Sequence, residues 1–202
     1  MPSSPSASAL APERIAARLG SRSIVLIGMP GAGKTSIGRR LAARLELPFV
    51  DADHEIEAAA GMAIPDIFEV HGEAAFRDGE RRVIKRLLGQ GPQILATGGG
   101  AFMAEDTRAA IAAMGISVWL KADHETLMER VRRRTNRPLL AGEDPEGVMR
   151  RLLEQREPVF ALADLTVTSY NVAHDTIVAS LLQALDGYLS HETPPPSTET
   201  PS

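Results

Sequence analysis

The sequence lacks several features that mark particular classes of protein. It has no cysteine, which excludes a disulfide framework, thiolate catalysis and a cysteine-ligated zinc site. Its 22 basic residues are outnumbered by 26 acidic ones, so there is no basic footprint for nucleic acid or an anionic membrane. No apolar run approaches a membrane span, and the N-terminus lacks the pattern of a secretory signal. We therefore expect a cytoplasmic protein that binds neither nucleic acid nor a membrane.

The length of 202 residues fits one compact domain between two peripheral ends. Residues 1–9 are rich in Ser, Ala and Pro and are expected to be unstructured, whereas 12–19 can form a short helix. Residues 191–202 are rich in Pro, Thr and Ser, which predicts a disordered tail. We divide the chain into a partly disordered extension (1–20), one domain (21–190) and that tail, and we expect a monomer.

Short apolar runs alternate with helical patterns throughout the domain. This alternation is typical of a parallel sheet with helices on both faces, a three-layer α/β/α fold whose ligands bind at the carboxyl ends of the strands. The predicted strands are 24–27, 48–50, 94–97, 117–120 and 165–168. The predicted helices are 34–45, 53–60, 64–71, 73–88, 104–114, 124–135, 145–156 and 176–189.

Two segments interrupt the alternation. Between the second and third predicted strands lie three helical patterns instead of one, and this excess, at about 53–88, is expected to form a lobe beside the ligand site. At about 136–147, a run that begins Arg137-Pro138-Leu139-Leu140 separates two helices. We interpret it as a lid, and an idle surface loop is the alternative.

Residues 28–35 read Gly-Met-Pro-Gly-Ala-Gly-Lys-Thr and match the phosphate-binding loop pattern G-x-x-x-x-G-K-[ST]. A predicted strand precedes the loop and a predicted helix follows it, as the pattern requires. Backbone amides of such a loop surround a phosphate at a helix N-terminus. Lys34 then places a charge between the β- and γ-phosphates, and the Thr35 hydroxyl can ligate Mg²⁺. The sequence thus predicts a nucleoside triphosphate site formed by Gly31, Ala32, Gly33, Lys34, Thr35 and Ser36.

Two carboxylates, Asp51 and Asp53, follow the second predicted strand. Residues two apart in an extended segment point to the same side, so both can face the ligand crevice. One can hold Mg²⁺ through water, and the other can accept a hydrogen bond or a proton from an attacking hydroxyl. We favour Asp51 for the metal. Asp53 can equally serve as the cap of the next helix.

Two further features admit both a functional and a structural interpretation. The three glycines at 98–100 follow an apolar strand, and either expose the main chain to a substrate or form a flexible turn. Arg77 lies beside Phe76 at the border of a buried helical stripe, with Glu80 three residues on. That arginine either binds a substrate carboxylate or phosphate, or belongs to a surface ion pair.

The remaining candidates are arginines in the second half of the chain. Arg156 precedes Pro158, which we expect to end or bend the helix and to leave Arg156 near a helix end. A second group is expected to be mostly solvated helix surface, with one member available to stack on adenine; this group is Arg130, Arg132, Arg133 and Arg134.

Together these motifs resemble those of the shikimate kinases, within the nucleoside-monophosphate-kinase-like P-loop group. The resemblance covers residues 22–187 and rests on the ordered elements G-M-P-G-A-G-K-T, D-A-D, F-R-x-x-E, G-G-G and R-P-L-L. It implies a five-stranded parallel sheet with a lid and a substrate-binding lobe. It also implies transfer of the γ-phosphoryl group of ATP to the 3-hydroxyl of shikimate, a step toward chorismate and the aromatic amino acids.

On the nucleotide side, the resemblance implies that Lys34 and Thr35 serve the phosphates and Mg²⁺, and that Asp51 joins the water shell of the metal. Arg137 would reach the transferring phosphate from the lid and act in catalysis. This sequence departs from many relatives at Pro30, which removes one N–H donor from the phosphate loop.

On the acceptor side, the resemblance implies that Asp53 contacts the substrate hydroxyls as base or orienter. Arg77 and Arg156 would bind the shikimate carboxylate, Glu80 would position Arg77, and Gly99 would offer backbone contacts. Phenylalanine occupies position 160, where the family often has tyrosine, so a hydroxyl role there is absent.

The nearest alternative is a related small-molecule kinase such as a gluconate kinase, which would share the phosphate loop and the lid. The Arg77–Glu80 pair with the triple glycine favours shikimate. A regulatory GTPase would need an N-K-x-D string, which the sequence does not contain. A catalytically silent binding protein would be expected to lose Lys34 or Asp53, and both are present.

Overall fold

The computed structural model describes residues 11–133 and 144–191. These residues form one five-stranded parallel sheet in the order β2-β3-β1-β4-β5. The strands are β1 Ser23–Ile27, β2 Phe49–Asp51, β3 Ile94–Ala96, β4 Gly115–Lys121 and β5 Leu165–Thr168. The predicted five-stranded parallel sheet is therefore confirmed.

Helices cover both faces of the sheet, which confirms the three-layer architecture. They are α1 Ala11–Leu19, α2 Lys34–Leu45, α3 Ala52–Ala60, α4 Ile64–Leu88, α5 Glu105–Met114, α6 His124–Arg132, α7 Pro145–Phe160 and α8 His174–His191. A short 3-10 helix, Ala101–Met103, lies between β3 and α5. Helices α1, α2 and α8 pack on one another, as do α4 and α5.

The central strand β1 is buried at every residue, as expected for a parallel strand covered on both faces. Its Leu26 and the Asp51 of β2 both pair with Ala96 of β3, while Ile27 pairs with Trp119 of β4. The carboxyl ends of these strands therefore lie at one edge, so the segments that follow them meet there.

The helix expected at 12–19 is present as α1, but it packs as part of the domain. Ile15 and Leu19 are completely buried, and Arg14 forms an ion pair with Asp186 of α8. Residues 11–19 therefore contribute to the core instead of forming an extension outside it.

The two helical patterns predicted at 64–71 and 73–88 join to form α4, with a kink at Gly72. The backbone of Gly72 has φ 78° and ψ 169°, far from helical values. A positive φ of this kind favours glycine, so Gly72 allows the chain to change direction between the two halves.

The helix predicted at 145–156 extends to Phe160 as α7, so it ends two residues after Pro158 and Arg156 lies in its penultimate turn, near the helix end. Pro158 cannot donate the backbone hydrogen bond to the carbonyl of Glu154, and the helix ends two residues after it. Phe160 is buried, with its ring centroid 5.9 Å from Trp119 and 6.5 Å from Phe102. This packing holds the last turn in place.

Most of the predicted lid, including Arg137, lies outside the described residues, and so does the tail after His191. Residues 145–147, the end of the predicted lid, form the first turn of α7 instead. Within the two described ranges, every helix is too short or too polar to cross a bilayer.

Candidate active site

The segments that follow the five strands enclose a cavity of about 390 Å³ at the carboxyl edge of the sheet. In the order of the strands, these are Asp51 at the end of β2, the glycine turn after β3, the phosphate loop after β1, the C-terminal end of the helix α6 that follows β4, and the segment 171–174 after β5. The predicted site residues that line the cavity are Gly31, Gly33, Lys34, Thr35, Ser36, Asp51, Asp53 and Gly99.

The phosphate loop is shaped by glycines with positive φ. At Gly28 the φ is 143°, and a Cβ atom there would lie 2.7 Å from the carbonyl oxygen of Leu120. Only glycine fits this close approach to β4. Lys34 Nζ donates to the carbonyl oxygens of Gly28 and Met29 at 2.9 and 3.1 Å, which holds the ammonium group against the loop. Ala32, a residue of this loop, is fully buried and does not line the cavity.

The metal-side pair predicted from sequence lies together. The Thr35 hydroxyl donates to Oδ2 of Asp51 at 3.1 Å, and Oδ1 of Asp51 accepts the backbone N–H of Asp53 at 3.1 Å. Asp51, and not Asp53, is therefore the cap of α3. The predicted extended conformation of residues 51–53 is also wrong, because α3 begins at Ala52 and Asp53 lies in its first turn. Both carboxylates nevertheless line the cavity.

The glycine turn is closely surrounded by charged side chains. A Cβ atom on Gly98 would lie 2.8 Å from Glu80 Oε1 and 2.9 Å from Asp53 Oδ1. One on Gly100 would lie 2.9 Å from Arg77 Nη2. Glycines here thus let two carboxylates and a guanidinium approach the same stretch of main chain, which a merely flexible turn would not require.

Arg77 is held by a buried carboxylate. Its Nη1 donates to Glu80 Oε2 at 2.7 Å, and the Glu80 side chain is only 2% exposed. Burial raises the pKa of Glu80, although the hydrogen bond and the charge of Arg77 oppose this shift. Glu80 Oε1 is buried and makes no hydrogen bond within the described residues. The surface-ion-pair interpretation applies instead to Glu73, which is 70% exposed and 3.4 Å from Arg77.

Arg156 approaches the same turn from α7. Its Nη1 donates to the carbonyl oxygen of Gly99 at 2.9 Å. Burial lowers the pKa of Arg156, and the nearby positive charge of Arg77 lowers it further. Arg77 and Arg156 do not line the cavity itself, but both lie against its glycine turn. Two partly buried guanidinium groups at one place favour the binding of an anion there.

The sequence alone does not distinguish which arginine of the group 130–134 accompanies the nucleotide. Arg130 and Arg133 line the cavity, whereas Arg132 pairs with Glu146 of α7. Arg130 Nη1 donates to Ser169 Oγ at 2.8 Å, and its Nη2 donates to the carbonyl of Tyr170. Arg134 lies outside the described residues.

Several further residues line the cavity that no sequence motif indicated. They are Ala96, Thr97, Val131, Asn171, Val172 and His174. Three of them belong to the segment that follows β5, which carries neither glycine clusters nor paired charges. Their proximity to the phosphate loop follows from the strand order, in which β4 separates β1 from β5.

A phosphate-binding loop after β1, with an acidic strand end at β2 and two arginines against the glycine turn after β3, defines a P-loop kinase of small molecules. The family model for shikimate kinase matches residues 30–186. The chain belongs to the shikimate kinase family and is an ATP-dependent kinase of that type.

Individual relatives agree with this assignment. A shikimate kinase from Bradyrhizobium diazoefficiens is 64% identical over 88% of this chain and 86% of its own length. One from Rhodopseudomonas palustris is 55% identical over 90% of each chain. The structure of shikimate kinase from Acinetobacter baumannii in complex with shikimate has a TM-score of 0.77 at 40% identity, and the match covers 81% of this chain and 92% of that one. A gluconokinase from Sinorhizobium meliloti, at 19% identity and a TM-score of 0.55, shares the fold alone.

Proposed function

We propose that the protein transfers the γ-phosphoryl group of ATP to the 3-hydroxyl of shikimate, giving shikimate 3-phosphate and ADP. The observation that carries this proposal is the acceptor side of the site. There Arg77 and Arg156 lie against the glycine turn that also contacts Asp53, next to the phosphate loop. An acceptor with a carboxylate at one end and a hydroxyl at the other fits this arrangement.

The two arginines select the acid. Each guanidinium is a rigid fork of donors, and a carboxylate can accept from both. Burial lowers the pKa of Arg156, and repulsion by the positive charge of Arg77 lowers it further. A bound carboxylate would relieve this repulsion, so part of its binding energy comes from the proximity of the two cations.

Asp53 orients the attacking hydroxyl. In the reaction, the hydroxyl oxygen bonds to the γ-phosphorus as the bond to the oxygen bridging the β- and γ-phosphates breaks. The hydroxyl proton leaves toward Asp53, which acts as base or orienter. Lys34 stabilises the charge that develops on the phosphates, and positioning supplies much of the rate. Arg137 stays a prediction as a further cation from the lid.

We also propose that Mg²⁺ binds beside Thr35 and Asp51. A hydroxyl and a carboxylate are hard oxygen donors, which suit Mg²⁺. The described residues contain no group of three metal-ligating side chains, and a magnesium ion that keeps its waters and binds substrate phosphates needs none. The ion, when bound, neutralises phosphate charge. Thr35 would ligate it directly, and Asp51 would hold one of its waters.

The order of the strands supports a side-by-side placement of the two substrates along the sheet edge. The acceptor residues follow β2 and β3, and the phosphate loop follows β1 at the centre. We therefore expect the base of ATP to extend toward the segments that follow β4 and β5. There Arg130 lines the cavity with a planar guanidinium group, and Val172 lines it with an aliphatic side chain.

Parallel assays of phosphoryl transfer from MgATP to shikimate, gluconate and AMP test this function. We expect turnover with shikimate and little with the other two. Faster turnover with gluconate would favour the alternative kinase, and faster turnover with AMP a nucleoside monophosphate kinase. The monomeric state and the cytoplasmic location stay predictions, which sedimentation and cell fractionation can test.

A further inference from the structure

The glycine turn continues without a break into the 3-10 helix Ala101–Met103. The backbone N–H of Ala101 donates to the carbonyl oxygen of Gly98 at 3.2 Å, and that of Met103 donates to the carbonyl oxygen of Gly100 at 3.1 Å. The turn and the short helix are therefore one hydrogen-bonded unit. Whatever holds the far end of this helix also holds the main chain against which the two arginines of the acceptor side lie.

Arg108 of α5 holds that far end. Its Nη1 donates to the carbonyl oxygens of Phe102 and Met103 at 2.9 and 2.8 Å. Carbonyl groups in the last turn of a helix have no further N–H groups of the same helix to accept from, so side chains or water supply their donors. Here one guanidinium group serves both carbonyls, and it joins the 3-10 helix to α5.

The position of Arg108 does not stabilise α5 itself. The first turn of a helix lies at the positive end of the helix dipole, and in α5 it carries the acidic residues Glu105 and Asp106. A cation directly after this turn gains nothing from the dipole. Across the part of the chain that the structure describes, Arg108 forms no ion pair either. Its polar contacts are the two main-chain carbonyls of the 3-10 helix.

The 3-10 helix contacts both helices that supply the acceptor arginines, α4 with Arg77 and α7 with Arg156. Its Phe102 is buried, and the ring centroid lies 6.5 Å from that of Phe160, one turn after Arg156. At the other end of the unit, the carbonyl oxygen of Gly99 accepts from Arg156. A displacement of the 3-10 helix would therefore change the position of the glycine turn relative to both guanidinium groups.

We propose that Arg108 is a positioning residue for the acid substrate, because it fixes the glycine turn against Arg77 and Arg156. The inference rests on the proposed function, in which these two arginines bind the carboxylate of the acceptor. Arg108 does not line the cavity and acts through the main chain that it holds. The phosphate loop follows a different strand, β1, so the binding of MgATP does not depend on Arg108.

Steady-state kinetics of Arg108→Met separate this role from a general structural one. Methionine keeps a long apolar side chain but donates no hydrogen bond, so both carbonyls lose their donor. We expect the KM for shikimate to rise about fivefold, the effect of roughly one net hydrogen bond, while kcat and the KM for MgATP change less than about twofold. Arg108→Lys keeps the charge and the donors, so its KM for shikimate should lie nearer to the wild-type value.

Arg18→Met is the matched control. Arg18 Nη1 also donates to a main-chain carbonyl near a helix end, that of Leu189 at 3.3 Å, but neither residue lines the cavity. Both methionine variants should lower the melting temperature, since each loses a contact between elements. Only Arg108→Met should raise the KM for shikimate. Should Arg108→Met not fold, Arg108→Gln, which keeps one amide donor group, takes its place in the same comparison.

The proposal is overturned if Arg108→Met keeps the wild-type KM for shikimate or raises the KM values for shikimate and MgATP equally. It is also overturned if Arg108→Lys lies no nearer to the wild type than Arg108→Met. A wild type that phosphorylates gluconate and not shikimate would overturn the proposed function instead. The KM for gluconate, which also carries a carboxylate, would then decide the role of Arg108 in the same variants.

Discussion

Replacement of Glu80 by glutamine tests how the acid-binding arginine is held. Glutamine keeps the size of the side chain and one acceptor oxygen for Arg77, but it removes the charge. Since Glu80 is 2% exposed and lies 2.7 Å from Arg77 Nη1, water screens this pair only weakly. Hydrogen bonds to charged groups contribute about 1.5–3 kcal/mol, and loss of the carboxylate charge moves the bond from Arg77, whose guanidinium stays charged, from the upper toward the lower end of that range.

The difference, about 1.4 kcal/mol, corresponds to a factor of about ten in binding. We therefore expect Glu80→Gln to raise the KM for shikimate about tenfold in steady-state assays. The value of kcat should fall less, because Lys34 and Asp53 keep their places.

Glu73→Gln provides the matched control on the same guanidinium. Glu73 is 70% exposed and lies 3.4 Å from Arg77, so its ion pair is screened and contributes little. The KM for shikimate should change less than about twofold in this variant. Equal KM values in the two variants, or a fall in kcat alone for Glu80→Gln, would refute the reasoning.

Three further predictions concern the chemistry and the stability of the site. Asp53→Asn should lower kcat by about 10²–10⁴-fold while calorimetry shows unchanged ATP binding, and near-normal turnover would exclude the base-or-orienter role. Lys34→Met should abolish phosphoryl transfer to shikimate in an ADP-release assay, and measurable turnover would show that the charge is dispensable. Because burial raises the pKa of Glu80 above 4.5, its proton stabilises the fold at low pH, and this contribution is lost as pH rises through the raised value. Urea unfolding should therefore show Glu80→Gln gaining stability relative to the wild type between acidic and neutral pH, whereas a constant difference would contradict the shift.

The parts of the fold and site that depend on local patterns were predicted from the sequence. The phosphate loop is a contiguous string, and the alternation of strands and helices requires only short apolar runs. Both were found where predicted. The contact between Asp51 and Thr35 also agrees with the sequence, since Asp51 ends a strand and Thr35 lies in the first turn of a helix at the same sheet edge.

Other features depend on contacts between distant segments. A charged residue such as Glu80 is normally exposed. Its burial depends on two contacts: the main chain at Gly98 passes close to its carboxylate, and Arg77 supplies the opposite charge. Asn171 and Arg130 belong to the site because hydrogen bonds through Ser169 connect segments far apart in sequence. No local pattern carries that information.

A crystal structure with Mg²⁺, ADP and shikimate is the most direct test of the acceptor site. We predict that the shikimate carboxylate contacts the guanidinium groups of both Arg77 and Arg156, with a ring hydroxyl within hydrogen-bonding distance of Asp53. A carboxylate bound away from both arginines, or a ring whose hydroxyls do not reach Asp53, would contradict the account.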